Sequence, residues 1–344
     1  MAERTVSIPA AAGDLIRLAF GDPPSPKGKA YLLWTDDIRP RKLTLNKREA
    51  KKRFGDEIPE RGMGRQPQKG DFPMNRIIAV NSNCYHGFSI EEAIAGIKAA
   101  GFKYIELTAT KGWTEHVFPD QSFERLLAVK DMLDEAGLIP FSMSGHCNLM
   151  DTERIGDFIK NIRLAAFFGC DYIVSSIGEA HLKDNAVADN ETVAGYVRAL
   201  VPYLEKYNLK LVLETHGHEH GRGSVLADIC RRVGSERVKV NYDTANVVFY
   251  GDVDPCEDLK DCIADVGYVH LKDKGGEKNV WDFPAVGKGW IDFPKFFAQL
   301  KEAGDNSPFS IEIEFTAAGP KDLDEVNQAV KDSAEYLIAQ GFVL

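Results

Sequence analysis

Several features that mark large classes of proteins are missing from this sequence of 344 residues. No apolar run approaches the roughly 20 residues that a membrane-spanning helix needs. The first residues, MAERTVSIPAAAGD, lack the basic and then apolar pattern of a secretory signal. The six cysteines form no CxxC pair, which argues against both a disulfide framework and a zinc knuckle. We therefore expect a cytoplasmic protein with reduced thiols and no membrane partner.

The chain also lacks an excess of positive charge. Its net charge of -10 at pH 7 argues against nucleic acid as the main partner, because phosphate backbones require a basic surface. Residues 1–74 contain 15 Lys/Arg and 10 Asp/Glu, whereas the remainder contains 27 and 42, so the two parts carry +5 and -15. The first part is rich in Pro, Gly and charge and predicts an N-terminal basic arm. Two interpretations stay open: a partly disordered tail, or a segment that docks onto the acidic body of its own or a neighbouring subunit and so builds a homo-oligomer.

From residue 75 the sequence repeats one pattern, in which a helix-period segment is followed by a Gly or polar break and a short β-branched run. Examples are EEAIAGIKAAGFKYIEL (91–107) and VRALVPYLEKYNLKLVLE (197–214). With the opening run RIIAVNS (76–82), the pattern predicts eight strands. They are uniformly apolar, as in parallel sheets buried on both faces. Residues 75–344 therefore predict an α/β fold, a (β/α)8 TIM barrel, and the lack of a GxGxxG motif between strand and helix disfavours a dinucleotide fold.

Polar residues end the predicted strands, where barrel enzymes place their chemistry. The fifth to eighth strands end in Glu214, Asp243, His270 and the pair Glu312/Glu314. Carboxylates would not end apolar strands repeatedly for packing reasons, because unpaired buried charge is costly. We expect one divalent ion among them, and three carboxylates with one imidazole favour Mn²⁺, with Mg²⁺ or Co²⁺ as alternatives.

The segment LVLETHGHEH (211–220) places three of the eight histidines within five residues. On a strand, Glu214 and His216 point the same way, so we expect His216 to reach the same cavity. His218 and His220 lie beyond the strand in a glycine-flanked loop, and we expect them to form a solvated rim.

Six phrases together resemble the sugar phosphate isomerase/epimerase superfamily, the xylose-isomerase-like TIM barrels. They are YIEL (104–107), LVLETHG (211–217), VNYDTAN (240–246), VHLKDK (269–274), VGKGWIDF (286–293) and SIEIEFT (310–316). The resemblance implies that Glu214, Asp243, His270 and Glu312 bind one divalent ion, with Glu314 as the alternative to Glu312. It also implies sugar or polyol chemistry.

Further residues are candidates for the substrate-binding shell: Glu106, His146, His216, Asn246 and Lys272. Asn246 stands where similar epimerases of free ketoses commonly have His, three residues after the aspartate. Lys272 and Lys274 follow the histidine where those epimerases have an arginine. Both departures bear on the identity of the substrate more than on the metal.

We therefore expect a metal-dependent sugar isomerase or epimerase acting on a small carbohydrate, with Glu214 and Glu312 as base and acid on two faces of the substrate carbon. A dehydratase or lyase acting on an inosose or a 3-oxo-glycoside would use the same residues. A DNA-repair enzyme similar to endonuclease IV would need three zinc ions and a basic groove. A non-catalytic carbohydrate-binding barrel would have lost ligands.

Overall fold

The computed structural model describes residues 76–178 and 188–344, which form a closed barrel of eight parallel strands. In barrel order the strands are β1 (Ile78–Asn81), β2 (Tyr104–Thr108), β3 (Ile139–Ser144), β4 (Tyr172–Ser175), β5 (Lys210–Glu214), β6 (Val238–Asp243), β7 (Val266–Leu271) and β9 (Phe309–Ile311). Pairing of β9 with β1 closes the ring. The predicted (β/α)8 TIM barrel is confirmed. The predicted basic arm, residues 1–74, lies outside the described residues.

Helices follow the strands and cover the barrel. They are α1 (Ile90–Ala99), α2 (Phe123–Ala136), α3 (Thr152–Phe168), α4 (Asn190–Tyr207), α5 (Gly223–Val233), α6 (Asn246–Phe249), α7 (Pro255–Cys262), α8 (Phe293–Glu302) and α9 (Leu323–Ala339), with two short 3-10 helices at Ser82–Tyr85 and Ile263–Asp265. Local signals set their ends: Ser89 and Glu92 form a capping box before α1. Gly137 ends α2 in the left-handed conformation, which glycine adopts without steric cost. Within the described residues, no helix is both long enough and apolar enough to cross a membrane.

The barrel interior has an apolar layer below a polar one. Phe141, Val174, Val212 and Tyr268 form a buried cluster inside the barrel. Because side chains on a strand alternate between two faces, the residue two positions later points to the same interior. Glu214 therefore lies above Val212, and His270 above Tyr268. This period places polar groups at the carboxyl ends of the strands.

A small antiparallel pair of strands stands beside the barrel, and the sequence pattern did not predict it. It joins β8 (Asp282–Phe283) to β10 (Phe315–Thr316). The strand β9 ends at Ile311, so Glu314 does not continue it as the sequence suggested. Glu312 still donates its backbone N–H to the carbonyl of Leu271 on β7 (3.1 Å). Glu312 and Glu314 therefore belong to different parts of the structure.

Candidate metal centre

Four side chains at the ends of consecutive barrel strands meet in one buried cluster. Glu214 closes β5, Asp243 closes β6, His270 lies one residue before the end of β7, and Glu312 directly follows β9. One ligand atom from each lies within 4.8 Å of the other three. Neighbouring strands are about 4.8 Å apart, so consecutive strand ends bring such side chains within reach of a single ion. The structure thus brings together the four residues that the sequence singled out.

His270 stands at the centre of this cluster. Its Nδ1 lies 3.1 Å from Oε1 of Glu214, 3.0 Å from Oε2 of Glu312 and 4.0 Å from Oδ2 of Asp243. The imidazole and the three carboxylates therefore converge on one point. Such a set of one nitrogen and several carboxylate oxygens could hold a divalent metal ion.

Acidic groups outnumber basic ones in and around the cluster. Five largely buried carboxyl groups lie around His270 and Lys272: Glu106, Glu214, Asp243, Glu312 and Glu314. Oδ2 of Asp243 and Oε2 of Glu214 are buried and have no hydrogen-bond partner in the described part of the chain. Buried carboxylate oxygens without a hydrogen-bond donor are costly. A divalent cation would supply the missing charge and bind these oxygens, so the residues present fit such an ion.

The pKa values show the same imbalance. Burial, reinforced by the carboxylates of Glu214 and Glu312, raises the pKa of Asp243 well above its usual range. Burial also favours neutral His270, but the charges of Glu106, Glu214 and Glu312 outweigh it and raise the pKa of His270 well above its usual value. A protonated imidazole thus offsets part of the negative charge. Because a metal ligand must be deprotonated, ion binding would release this proton.

Glu106 lies beneath His270 and does not line the cavity. Its Oε1 is 3.1 Å from Nε2 of His270 and accepts from Nδ2 of Asn81 (3.0 Å). Its Oε2 accepts from the hydroxyls of Ser142 (2.8 Å) and Tyr268 (2.9 Å). The side chain is fully buried. This position differs from the expected contact with substrate: Glu106 orients the ring of His270 and holds the Nε2 proton, as carboxylates behind metal-ligating histidines do.

Glu312 and Glu314 occupy different surroundings. Glu312 faces His270, whereas Glu314 forms an ion pair with Lys272. Lys272 also lies 3.8 Å from Glu312 and 3.9 Å from Asp243, and its Nζ is 4.6 Å from the centre of the Phe283 ring. Burial opposes the charge of Lys272, but these carboxylates outweigh it and raise the pKa of Lys272 well above its usual value. The geometry therefore favours Glu312 over Glu314 as the ligand.

A narrow cavity opens above the cluster. Four of the predicted substrate-binding residues line it: His146, His216, Asn246 and Lys272. Nε2 of His146 lies 2.8 Å from Oε2 of Glu214, without the alignment of a hydrogen bond.

Asn246 lies between Glu214 and Lys272, and His216 is neutral. Asn246 donates to Oε1 of Glu214 (3.4 Å) and accepts from Lys272 (3.4 Å). Burial lowers the pKa of His216 to about 4, so this ring is neutral at pH 7.

Some site residues were missed, and one expectation was wrong. Asn83 donates to Glu312 (3.0 Å) and Glu314 (3.3 Å), and its place just after β1 was the available signal. Tyr250 lines the cavity beside His216, with 3.3 Å between its hydroxyl and Nε2, and no sequence pattern pointed to it. His218 is exposed as expected. His220, expected on the solvated rim, is only 6% exposed because the loop folds inward there.

Comparison with known proteins agrees with the fold. The family model described as "Xylose isomerase-like TIM barrel" matches residues 94–340. No curated protein sequence matches significantly. A xylose isomerase-like TIM barrel protein from Mycobacterium smegmatis, solved in complex with magnesium, is 17% identical over 78% of this chain and 98% of its own, with a TM-score of 0.62.

Two epimerases are similar to the same extent. D-allulose 3-epimerase from Methylomonas sp. is 19% identical over 79% of this chain and 100% of its own, with a TM-score of 0.61. 3-Keto-D-glucoside 4-epimerase from E. coli is 18% identical over 77% of this chain and 100% of its own, with a TM-score of 0.60. At these identities the likeness concerns the fold. Because the family model spans most of the sequence, the chain belongs to the xylose isomerase-like TIM barrel family.

Proposed function

We propose that the protein is a divalent-metal-dependent isomerase or epimerase acting on a small carbohydrate. One observation carries this proposal: three carboxylates and one imidazole, with ligand atoms within 4.8 Å of one another, lie at the carboxyl ends of the strands, and two of the carboxylates, Glu214 and Glu312, line the cavity there. Mn²⁺ is the first candidate, because it suits oxygen-rich ligand sets, and Mg²⁺ or Co²⁺ are alternatives. The magnesium in the similar M. smegmatis protein supports a divalent ion at this site. The epimerase activities named for two similar structures support the proposed reaction.

Glu214, Asp243, His270 and Glu312 would hold the ion. When bound, it would polarise adjacent carbonyl and hydroxyl oxygens of the substrate and so acidify the neighbouring C–H bond. The protein supplies the proton transfer. Glu214 and Glu312 both line the cavity, so one of them, ionised, can take the proton from the substrate carbon, while the other, in its carboxylic acid form, gives its own proton to the opposite face.

The surrounding donors position these two carboxylates. Asn81 and Asn83 donate to Oε1 of Glu312 (3.3 and 3.0 Å), and Asn246 donates to Oε1 of Glu214. His146, His216 and Lys272 stand on the cavity wall, where they can contact substrate hydroxyls. Delivery of a proton to the opposite face of the same carbon inverts its configuration. Delivery to the neighbouring carbon instead interconverts an aldose and a ketose. Loss of a β-hydroxyl would give the dehydratase or lyase outcome instead.

A small-molecule substrate is preferred to nucleic acid. Residues 75–344 carry a net charge of -15, which opposes binding of a phosphate backbone. Within the described residues, the four-residue cluster is the one group identified that could hold a metal, whereas a nuclease of this fold needs three zinc ions. Cytoplasmic location and assembly through the basic arm stay predictions.

The proposal is tested by exchange of substrate C–H protons with deuterated water. The protein, loaded with Mn²⁺, is incubated with free ketoses, inososes and 3-oxo-glycosides, and exchange is followed by NMR. Exchange reports removal of the proton before any product is known, and the product then distinguishes epimerisation, isomerisation and dehydration. Glu214→Gln and Glu312→Gln should each slow exchange about 100-fold or more.

The control is Glu335→Gln, which removes one charge from an exposed side chain. It should leave exchange unchanged. Metal analysis should find one ion per chain. Lack of exchange with every substrate class, or exchange that persists in both Glu214→Gln and Glu312→Gln, would overturn the proposal.

A further inference from the structure

The loop after β2 reaches the proposed metal ligands through one buried amide, that of Asn83. The Nδ2 group of Asn83 donates to Oε1 of Glu312 (3.0 Å) and to Oε1 of Glu314 (3.3 Å). On the other side, Oδ1 of Asn83 accepts from the indole Nε1–H of Trp113 (2.9 Å) and from the hydroxyl of Thr114 (2.8 Å). All four hydrogen-bonding positions of this amide are therefore used within the protein.

These partners allow only one orientation of the amide. An indole N–H only donates, so the atom of Asn83 that faces Trp113 must be the oxygen. A flipped amide would set its NH₂ group against the indole N–H, and its oxygen against the carboxylates of Glu312 and Glu314. Buried donors without an acceptor are costly. The two donors on the loop therefore keep the NH₂ group of Asn83 directed at the carboxylates.

His86 holds both of these donors against Asn83. The hydroxyl of Thr114 has one proton, which it donates to Asn83, so Nδ1 of His86 at 2.8 Å must donate to the hydroxyl oxygen. The imidazole of His86 also stacks on the indole of Trp113, with 3.8 Å between ring centres and 7° between planes. Asn83 and Thr114 are both buried, at 6% and 4% exposure, so little water competes for their bonds.

Thr114 and Trp113 differ in their relation to the cavity. Trp113 is part of the wall of the cavity above the cluster, whereas Thr114 is not among the described residues that line it. We propose that Thr114 is a positioning residue, which fixes the amide of Asn83 and, through it, the carboxylate of Glu312. This inference rests on the proposed function, which makes Glu312 a metal ligand and one of the two groups that transfer protons.

Hydrogen exchange at the side chain of Asn83 tests the inference without metal or substrate. In the full-length, metal-free protein, the NH₂ signal of Asn83 is identified in ¹⁵N NMR spectra by its loss from Asn83→Ala. Thr114→Val keeps the shape of the side chain and removes its hydroxyl. It should speed exchange of the NH₂ protons with water about fivefold to tenfold, because one hydrogen bond contributes on that scale. Thr114→Ser can make the same bond and should exchange within about twofold of the native rate.

The matched control is Thr152→Val, which removes the same hydroxyl from an exposed residue at the start of α3. It should leave the exchange rate within about twofold of the native value. If Thr114→Val fails to fold, Trp113→Phe removes the other donor to Asn83 and should speed exchange to a similar extent. Unchanged exchange in folded Thr114→Val, or in Trp113→Phe where it replaces that variant, overturns the inference. Equal acceleration in Thr114→Ser, or native protons that exchange as fast as those of an exposed asparagine, would do the same.

The affinity for Mn²⁺ then tests whether Thr114 acts through Asn83. Thr114→Val and Asn83→Ala should each raise the Kd for Mn²⁺ about tenfold, as substitutions behind metal ligands do. The double variant should have the Kd of Asn83→Ala alone, because changes at two residues in contact are not additive. Additive effects, or no effect of either substitution, would overturn the positioning role of Thr114. A native protein that binds no Mn²⁺ would overturn the proposed function, and exchange of the Asn83 protons would then decide the inference.

Discussion

Glu106→Gln removes one charge beneath His270 and keeps the shape of the side chain. In the native protein Oε1 of Glu106 faces Nε2 of His270 at 3.1 Å, and Oε2 accepts from the hydroxyls of Ser142 and Tyr268. The glutamine carbonyl can still accept from His270, and its NH₂ group can donate to the two hydroxyls, which also act as acceptors. We therefore expect the variant to fold and to keep all four proposed metal ligands.

The expected loss follows from the hydrogen bond to His270. A bond to a charged partner contributes about 1.5–3 kcal/mol, against about 0.5–1.5 kcal/mol for a neutral pair. The substitution thus weakens the hold on the ligand ring by about 1.4 kcal/mol, which corresponds to about a tenfold rise in the Kd for Mn²⁺. This lies at the lower end of the roughly 10–100-fold effects found for groups behind metal ligands.

The measurement is titration of metal-free protein with Mn²⁺ in competition with a chelator at pH 7. Glu335→Gln is the control, since it removes the same charge from a side chain that is 65% exposed, and its Kd should stay within twofold of the native value. A Kd for Glu106→Gln within twofold of the native protein would refute the role of Glu106. Equal weakening in both variants would show that only net charge matters.

Three further outcomes are expected. Stripping divalent ions with a chelator should lower Tm by roughly 5–10 °C, because an ion at 100 times its Kd stabilises by about 2.7 kcal/mol, and an unchanged Tm in scanning calorimetry would contradict a bound ion. Asp273→Asn should lower the free energy of unfolding in urea by about 2–3 kcal/mol. One oxygen of Asp273 accepts from the N–H groups of Gly287 and Gly289 and the other from those of Lys274 and Ile291, so either orientation of the asparagine amide would set its NH₂ group against two donors. A loss below about 0.5 kcal/mol would argue against this role of Asp273. Burial lowers the pKa of His116 below its usual 6.5, so unfolding takes up a proton below that pH and stability falls as pH decreases. Urea midpoints between pH 7.5 and 5.5 should fall less steeply for His116→Gln, and parallel slopes would exclude this group as a cause.

The sequence by itself determined the barrel and the main residues of the cluster. The repeated alternation of helix-period and apolar segments predicted eight parallel strands, and all eight are present. Because side chains alternate along a strand and parallel strands end at one edge, local position was enough to group Glu214, Asp243 and His270. Glu312 joined them for the same reason, since it directly follows the last barrel strand.

Only the tertiary structure decided what each polar residue contacts. Glu106 lies behind His270, 164 residues away in the chain, so no local pattern could distinguish it from a substrate-binding residue. Glu314 lies beyond the end of β9 at Ile311 and forms an ion pair with Lys272 instead of joining the proposed metal ligands. A further cavity, next to the one above the metal cluster, lies where the loop after β9 meets Trp281 and the stacked pair of His86 and Trp113. Alternation along a strand is a local property of the backbone, whereas partners and cavities depend on how distant loops pack over the barrel.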